Sequence, residues 1–570
     1  MTPTPTAPQR PLRNADFATL LEALEFAAQG PTGLNLYSLR GELVRAWPYA
    51  EVASEAEALA RSMLAAGLEP GDRVALIAET NDEFIRAFFA CQYAGLIPAP
   101  LPLPAPLGGR EAYVEQIGRM AASAEAAALF GPAALSEWVR DAGRAAGVRL
   151  DLNLADLPEG AGRELPRVAP DDPCYLQFSS GSTRFPTGVL VTHRALMANA
   201  FASTSHGLAV RPQDRTVSWL PLYHDMGLVG FLLSPLCRQM SQDLLPTGAF
   251  VRRPLLWLDL MSRNRATITY SPTFGYELCA RRAETADISH LDLSCWRVAG
   301  LGGDMVRAGP LEMFAERFAP VGFDPKAFVA SYGMAEATLG LTMAPLGRGL
   351  TIETLDVDRL ERDGVAAHGG RADRQRAFVR CGPIFPDHQL EVRDETGAVL
   401  PDWRVGRAFA RGPSLMRGYF RNPEASAAVL SDDGWLDTGD LGFMADGEFT
   451  PTGRAKDLIL LNGRNVWPQD LEWTAEQELA GLRSGDVAAF AVDGEAEEKL
   501  VILVQCRSSD PEVRRKLAED VAALLRARHS VDPQVHLVGA HALPQTSSGK
   551  LSRSKARALF LAGAFNAVAV

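Results

Sequence analysis

The chain has 570 residues and a mass of 61.5 kDa, too long for one hydrophobic core, so two or three domains are expected. Its composition, 47% hydrophobic and 22% charged, is typical of a soluble globular protein, and its net charge of -12 argues against a nucleic-acid partner. It contains no apolar run near the ~20 residues of a transmembrane segment, and its polar, proline-rich N-terminus lacks the apolar core of a secretory signal. A cytoplasmic location is therefore predicted.

The first part of the chain alternates strand-like and helix-like segments. Residues 72–78, DRVALIA, have the pattern of a buried strand, and residues 81–95 have that of a helix ending at Gly95. After a proline-rich loop, further apolar strands follow at CYLQF (174–178), GVLVT (188–192) and ATITYS (266–271). This alternation predicts a layered α/β fold with two α/β subdomains.

The second part of the chain has a different pattern. Residues 360–378 are polar and helix-breaking, which indicates an inserted or mobile segment, and the short β-rich pieces after it predict a small barrel-like subdomain. From about residue 455, two apolar strands and an amphipathic helix at 511–530 predict a small α+β domain. One face of that helix is expected to carry Val513, Leu517, Val521, Leu524 and Leu525. The predicted domains are a large N-terminal domain, 1–454, and a C-terminal domain, 455–570.

A loop of small residues connects the strands CYLQF and GVLVT. Small residues there allow backbone N–H groups and hydroxyls to converge on phosphate oxygens. The Walker pattern GxxxxGK[ST] is absent, and an ordinary polar loop is the alternative for such a turn taken alone. The candidate phosphate-binding residues are Ser179, Ser180, Gly181, Ser182 and Thr183.

Further motifs follow in a characteristic order: WLPLYHDMGLVG (219–230), SYGMAEATLG (331–340), GWLDTGDLGFM (434–444), GRAKDLILLNGRNVWPQDLE (453–472) and PQTSSGKLSR (544–553). With them the sequence resembles, from about Tyr49 to about Leu559, the adenylate-forming superfamily of acyl-CoA synthetases, peptide-synthetase adenylation domains and luciferases. SGSTRFPTGV, with Arg184 where most relatives have glycine, and YHDMGLVG are most similar to fatty acyl-AMP ligases.

The resemblance implies an ATP- and Mg²⁺-dependent ligase that converts a medium- or long-chain fatty acid to acyl-AMP, releasing pyrophosphate. The acyl group would then pass to a separate acyl carrier protein acting in trans. Residues 346–378 lie where fatty acyl-AMP ligases carry an insertion thought to obstruct the domain reorientation needed for thioester formation with coenzyme A. The alternatives are a fatty acyl-CoA synthetase, a weaker match to amino-acid adenylation, and a non-catalytic relative that retains only the fold.

The resemblance also assigns residues to the reaction. Lys550 would be the catalytic cation that reaches both the acyl carboxylate and the ATP phosphates, and His224 would border the carboxylate. Glu336 and Thr183 would hold Mg²⁺ through hard oxygen donors. Lys550 could instead be a solvated lysine, and Glu336 a glutamate stabilised by a helix dipole. Because His224 and Asp225 are sequence neighbours, their side chains need not meet.

The nucleotide would be held by two further groups. The ring of Tyr332 would stack on adenine, Gly333 and Met334 would also belong to the nucleotide site, and the backbone of Gly302, Gly303 and Asp304 would line the adenine. A core tyrosine is the alternative for Tyr332. Asp440 would accept hydrogen bonds from ribose, and Arg454 would donate to ribose or phosphate, unless they form a structural ion pair. Lys456 would be the hinge that makes the small domain mobile.

Two further surfaces are assigned, with core packing as the alternative for the first and a merely solvated helix as the favoured alternative for the second. Residues 271–279 are expected to contribute Phe274, Gly275 and Tyr276 to the acyl tunnel. A basic surface for an acidic carrier protein would include Arg553, Lys555 and Arg557.

Overall fold

The computed structural model describes residues 12–104, 109–179, 187–461, 464–492, 499–545, 551–565 and 568–569. The strands in these ranges are β1 (Gly33–Tyr37), β2 (Leu43–Pro48), β3 (Arg73–Ile77), β4 (Ile97–Leu101), β5 (Ala126–Phe130), β6 (Pro173–Ser179), β7 (Thr187–Thr192), β8 (Arg215–Ser218), β9 (Ser241–Leu244), β10 (Ile268–Ser271), β11 (Val298–Leu301), β12 (Phe328–Gly333), β13 (Gly340–Met343), β14 (Ile352–Asp356), β15 (Gln375–Val379), β16 (Gln389–Arg393), β17 (Gly406–Arg411), β18 (Leu436–Ala445), β19 (Glu448–Arg454), β20 (Ile459–Leu461), β21 (Arg464–Val466), β22 (Val487–Val492), β23 (Lys499–Cys506), β24 (Gln534–Gly539) and β25 (Val568–Ala569).

The α-helices in the same ranges are α1 (Leu20–Ala27), α2 (Tyr49–Ala65), α3 (Asp82–Tyr93), α4 (Arg110–Ser123), α5 (Ser136–Ala146), α6 (His193–Phe201), α7 (Asp225–Leu228), α8 (Ser234–Cys237), α9 (Thr247–Arg252), α10 (Leu255–Arg263), α11 (Thr273–Arg282), α12 (Ala308–Phe318), α13 (Val357–Asp363), α14 (Pro423–Val429), α15 (Pro468–Glu478), α16 (Pro511–His529) and α17 (Arg553–Leu561). In the part of the chain that the structure describes, no helix combines the length and apolar character needed to cross a bilayer.

The chain packs into two units. The first comprises Met1–Leu350, Cys381–Gln389 and Ala410–Leu436, and the second comprises Thr351–Arg380, Leu390–Phe409 and Asp437–Val570. Packing therefore assigns residues on both sides of the predicted 454/455 boundary to the second unit. The predicted boundary describes where the C-terminal domain would move about Lys456. Packing does not test this motion, so the boundary stays a prediction.

The first unit is built on an eight-stranded sheet with the order β13-β12-β11-β10-β8-β9-β1-β2. Its central strands are parallel, and β13 and β2 add antiparallel edges. β10 and β11 are buried along their whole length, as expected for parallel strands covered on both faces. A three-stranded parallel sheet, β4-β3-β5, and the hairpin β6–β7 complete the unit, so the predicted α/β class is confirmed.

Local sequence signals account for the predicted strand and helix near residue 80. The DRVALIA pattern corresponds to β3, and the helix that follows is α3. Asn81 caps α3, because its side-chain oxygen accepts a hydrogen bond from the Phe84 amide at 2.9 Å. Apolar residues of this region then pack into the core of the first unit.

The second unit contains residues 351–380, which include the polar residues 360–378, and the C-terminal elements. Residues 351–380 form the antiparallel pair β14–β15 with α13 between the strands. The β-rich pieces after it form the sheet β16-β17-β18-β19, and β22-β23-β24-β25 form the C-terminal sheet. Helix α16 buries Ala518, Val521, Leu525 and His529, whereas Val513 is 49% exposed. The prediction for Val513 was wrong. Val513 precedes Ala518 by five residues, which is about 1.4 turns of an α-helix, so its side chain lies on a different face from the buried residues.

The seven cysteines are all free, in agreement with the absence of a CxxC pair in the sequence. Six of them are buried, and Cys295 is partly exposed. They contribute to the protein as small apolar residues.

Candidate active site

The candidate phosphate loop is bounded by a hairpin. Ser179 is the last residue of β6, and it pairs with Thr187, the first residue of β7. Ser180, Gly181, Ser182 and Thr183 lie outside the described residues, so their assignments remain predictions, as does the assignment of Lys550.

A third segment, residues 416–420, runs along β7 and is called the strap below. The Leu190 amide donates to the Gly418 carbonyl at 3.0 Å, and the Phe420 amide donates to the Gly188 carbonyl at 2.8 Å. The strand that leaves the candidate phosphate loop is therefore bonded on both edges, to β6 and to the strap.

Glu336 lies in a short 3₁₀ turn, Ala335–Ala337, that follows β12. Its side chain is 5% exposed, and its Oε1 accepts hydrogen bonds from Ser179 Oγ at 3.2 Å and from the Tyr419 hydroxyl at 3.0 Å. The Met416 amide of the strap donates to the Glu336 carbonyl at 2.7 Å. A buried carboxylate beside the candidate phosphate loop, held by hydroxyl donors, has the hard oxygen chemistry that Mg²⁺ prefers.

The candidate adenine residues lie where β11 and β12 end, at one edge of the parallel sheet. Ser331 Oγ donates to the Leu301 carbonyl at 2.8 Å, which ties the two strand ends together. Tyr332 is 9% exposed, while Gly303 and Asp304 are exposed. Met334 bonds across the turn, because its amide donates to the Leu339 carbonyl at 2.8 Å. This edge is where α/β sheets bind ligands.

Packing requires a glycine at position 333 and leaves little room for a side chain at position 302. A Cβ on Gly333 would lie 1.9 Å from the Leu339 carbonyl oxygen, and one on Gly302 would lie 3.1 Å from Ser331 Oγ. Gly333 therefore cannot be replaced without moving the turn that carries Glu336.

His224 caps helix α7 and contacts its neighbour. His224 Nδ1 lies 2.7 Å from Asp225 Oδ1, so the two side chains do meet, which the sequence did not indicate. The Met226 amide lies 3.3 Å from the same Nδ1 and 2.6 Å from Asp225 Oδ1, so both side chains lie at the N-terminus of α7. His224 is 23% exposed, so part of its ring remains accessible at this turn.

The His224 turn is adjacent to the strands that carry the other site residues. Gln177 on β6 donates from Nε2 to the Tyr223 carbonyl at 2.7 Å. Met226 Sδ lies 3.7 Å from the position that a Cβ on Gly302 would occupy. The structure thus brings Ser179, Glu336, the His224 turn and the Gly302 loop together within the first unit.

Asp440 and Arg454 face each other in the second unit. They are paired residues of β18 and β19, and Arg454 Nε lies 3.3 Å from Asp440 Oδ1. The Asp440 side chain is 11% exposed and the Arg454 side chain is 46% exposed. Because the arginine is largely in contact with solvent, this ion pair contributes little to stability. Lys456 follows in the 3₁₀ turn Ala455–Asp457.

The three residues that were expected to line the acyl tunnel have different surroundings in the structure. Tyr276 is fully buried, and its hydroxyl donates to the Gly300 carbonyl at 2.9 Å, so it is a core residue. A side chain on Gly275 would collide with Ser271 Oγ at 2.1 Å and Trp219 at 2.9 Å. Phe274 is partly exposed and packs edge-on against Trp219 at 5.8 Å, which leaves it as the remaining tunnel candidate.

Two of the three expected docking cations are engaged elsewhere. Arg553 bonds both carboxylate oxygens of Glu472, at 2.8 and 2.7 Å, and Arg557 Nε donates to the Ala491 carbonyl at 2.8 Å. Only Lys555 of the three is exposed. The two arginines stabilise the C-terminal elements, and an arginine with this geometry is poorly available to a partner.

The sequence did not single out Tyr419. It lies 83 residues from Glu336, and nothing in the spacing or hydrophobic pattern signals that contact. The same holds for the bond from Ser179 to Glu336 across 157 residues.

Comparisons with known proteins identify the family of the chain. The family described as AMP-binding enzyme matches residues 28–420. A protein of Caulobacter vibrioides (strain NA1000 / CB15N), provisionally named an acyl-CoA synthetase, is 65% identical over 563 residues, which cover 99% of this chain and 98% of that protein. The medium-chain-fatty-acid--[acyl-carrier-protein] ligase JamA of Moorena producens (strain JHB) is 31% identical over 577 residues, which cover 96% of each chain.

A solved structure from a study of fatty acyl-adenylate ligases of E. coli and L. pneumophila has a TM-score of 0.93 and 44% identity, and the alignment covers 97% of this chain and 100% of that one. The chain therefore belongs to the family of AMP-binding enzymes, as an adenylate-forming ligase of the fatty acyl-AMP ligase branch.

Proposed function

We propose that this ligase activates a medium- or long-chain fatty acid with MgATP and transfers the acyl group to the phosphopantetheine thiol of a separate acyl carrier protein. In the first step a carboxylate oxygen of the fatty acid bonds to the α-phosphorus of ATP, and pyrophosphate leaves. In the second step the thiol releases its proton to solvent, its sulfur bonds to the acyl carbon, and the bond from that carbon to the AMP oxygen breaks so that AMP leaves. Both steps bring anions together, so positioning and charge neutralisation dominate catalysis.

The observation that carries the proposal is the meeting of Ser179, Glu336 and the His224 turn at one edge of the sheet. Ser179 and the candidate loop would hold the phosphates, and Tyr332 and the Gly302 loop would hold adenine. The His224 ring, oriented by Asp225, would border the fatty-acid carboxylate. Lys550 would supply the positive charge between the two reactants.

The residues at Glu336 fit a magnesium ion that is shared with the substrate. Among the described residues there is no group of three or more His, Cys, Asp or Glu side chains that could hold a metal. One buried carboxylate, with Thr183 as the predicted second ligand, suits Mg²⁺ because this ion commonly takes its other ligands from phosphates and water. When bound, the ion would neutralise phosphate charge.

The carrier protein is favoured as acceptor by the contacts of segment 351–380. Arg376 Nη1 donates to Asp470 Oδ2 on α15 at 2.7 Å, and Arg374 Nη1 donates to the Arg528 carbonyl near the end of α16 at 3.1 Å. These bonds tie the segment to elements of the C-terminal region within the second unit. They support the proposal that the segment restrains the rearrangement that coenzyme A would require.

The alternative acceptor is coenzyme A. The provisional name of the Caulobacter protein favours it, whereas the name of JamA favours the carrier protein. The two acceptors share the phosphopantetheine thiol, so the difference between them lies in what surrounds that thiol.

The test is a two-stage product assay. The protein is incubated with ATP, Mg²⁺ and a panel of medium- and long-chain fatty acids, and acyl-AMP is measured. Coenzyme A, a phosphopantetheinylated carrier and the same carrier without phosphopantetheine are then added in parallel. We expect acyl-AMP to accumulate and only the phosphopantetheinylated carrier to be acylated. Acyl-CoA formed at a comparable rate would establish the alternative, and no acyl-AMP from any acid would leave a non-catalytic relative.

A further inference from the structure

Tyr419 connects the strand after the candidate phosphate loop with the proposed metal ligand. Its hydroxyl donates to Glu336 Oε1 at 3.0 Å, and Ser179 Oγ donates to the same oxygen at 3.2 Å. A carboxylate that is 5% exposed needs hydrogen-bond donors, and two donors on one oxygen restrain its rotation.

The backbone around Tyr419 is held on several sides. Next to it, the Gly418 carbonyl and the Phe420 amide bond to β7 at 3.0 and 2.8 Å. The Tyr419 amide donates to Ser426 Oγ at 2.9 Å, and Gly418 permits this approach because a Cβ there would lie 3.1 Å from that oxygen. The hydroxyl is thus presented from a fixed backbone, which is the condition for orienting another group.

The strap also holds the main chain of Glu336. The Met416 amide donates to the Glu336 carbonyl at 2.7 Å, three residues before the phenol contacts the side chain. Both the backbone and the carboxylate of Glu336 are therefore positioned by one five-residue segment that also pairs with β7.

We propose that Tyr419 is a positioning residue that orients the Glu336 carboxylate toward the metal–nucleotide complex. The inference rests on the proposed role of Glu336 as a magnesium ligand. Because the strap pairs with β7, Tyr419 also couples the position of the Glu336 carboxylate to the strand that leaves the candidate phosphate loop.

The test uses Mn²⁺ as a spectroscopic substitute for Mg²⁺. Binding of Mn²⁺ with α,β-methylene-ATP is measured by water-proton relaxation, and binding of the metal-free nucleotide is measured in EDTA. Tyr419→Phe keeps the ring and removes the hydroxyl. We expect it to weaken binding of the metal–nucleotide complex about 10-fold, in line with the loss of one hydrogen bond to a charged group, while metal-free nucleotide binds as in the wild type.

A double-mutant cycle separates positioning from a general structural effect. Glu336→Gln should weaken metal–nucleotide binding by itself, and adding Tyr419→Phe to it should cause no further loss, since the hydroxyl would act only through the carboxylate. Tyr113→Phe is the matched control, because it removes a hydroxyl that donates to the Pro102 carbonyl at 2.9 Å elsewhere in the first unit.

Three results would overturn the inference: unchanged metal–nucleotide binding in Tyr419→Phe, an equal loss with and without metal, or an equal loss in the Glu336→Gln background. Failure of the proposed function is distinguishable, because it would appear as absence of acyl-AMP in the wild type whatever the binding data show.

Discussion

At the scale of single residues, Lys550 carries the largest expected effect on catalysis. We expect Lys550→Ala to lower acyl-AMP formation by at least about 100-fold, since it would remove preorganised charge between two anionic reactants. ATP binding should persist, because the other proposed contacts to the nucleotide remain. Pyrophosphate exchange and nucleotide binding are measured together. Lys516→Ala, an exposed lysine of α16, is the control, and near-normal exchange in Lys550→Ala would refute the assigned role.

His193 makes folding stability depend on pH. Its ring is 1% exposed, its Nδ1 accepts a hydrogen bond from the Leu20 amide at 3.1 Å, and burial lowers its pKa to about 4. The folded protein therefore holds the ring neutral, while the unfolded chain binds a proton as the pH falls below about 6.5. The contribution is fully present above that pH and is lost toward pH 4, up to about 3 kcal/mol.

The matching variant is His193→Asn, which keeps an acceptor near Nδ1 and does not titrate. Urea unfolding from pH 7 to pH 4 should show a shallower loss of stability than in the wild type. Part of the slope should remain, because burial also lowers the pKa of His529 to about 4. His290→Asn, at an exposed histidine, is the control. Equal slopes in the wild type and His193→Asn would contradict the prediction.

Individual residues were predictable where a motif identifies them and not where a contact crosses the chain. Glu336 and Gly333 follow from SYGMAEATLG, and the structure places them together at the end of β12. The spacing of residues in the sequence gives no indication of the hydrogen bond from Tyr419 to Glu336. Tyr276 was ambiguous because an aromatic side chain suits a tunnel wall and a core equally, and its contacts with Trp257 and Phe314 decide for the core.

At the scale of elements, the hydrogen bond between Arg376 on β15 and Asp470 on α15 is the clearest test of how the polar segment is attached. Their side chains are 9% and 8% exposed. Burial lowers the pKa of Arg376 and raises the pKa of Asp470, while the charge of each partner opposes the shift of the other. The guanidinium also lies over the Phe378 ring at 4.2 Å.

Removing one partner should cost more than removing both. We expect Arg376→Met to lower the free energy of unfolding by about 3 kcal/mol, because it leaves a buried carboxylate unpaired. Arg376→Met/Asp470→Leu should recover most of that loss. Urea unfolding of the two variants and the wild type makes the comparison. A double variant no more stable than the single one would show that the loss does not come from leaving the Asp470 carboxylate unpaired.

Elements with strong periodicity or caps were predictable, whereas the packing of charged segments was not. β3 and α3 lie where the apolar runs and Asn81 indicate. Segment 351–380 looks solvated in sequence because its charges are visible there but their partners are not. In the structure Arg374 bonds Glu361 at 2.8 Å, 13 residues away, and the Arg528 carbonyl, 154 residues away.

At the scale of the whole molecule, the proposed hinge predicts that the two half-reactions can be separated. Lys456 lies in the turn Ala455–Asp457, and proline there would restrict both its own φ and the conformation of Ala455. We expect Lys456→Pro to retain acyl-AMP formation and to slow acyl transfer to the carrier at least about 10-fold, as for a conformational step. Lys456→Ala is the control for the lost charge. Equal slowing of both half-reactions would argue against a hinge at this position.

The α/β class follows from alternating strands and helices, but the composition of the two units does not follow from the order of the chain. Residues 351–380 and 390–409 pack with the C-terminal region, and residues 381–389 and 410–436 pack with the N-terminal region. Where a segment packs depends on which surfaces meet after folding. Hydrophobic periodicity does not show this, because it indicates only whether a segment forms a helix or a strand.

The burial of the cysteines gives experimental access to the proposed hinge. Six of the seven thiols are buried, and only Cys295 is partly exposed, so Cys295→Ser should leave a chain that reacts slowly with maleimides. Two cysteines introduced at exposed positions on either side of Lys456 could then carry a donor and an acceptor dye. Single-molecule energy transfer between the dyes would test for the proposed rotation during turnover, with little background labelling.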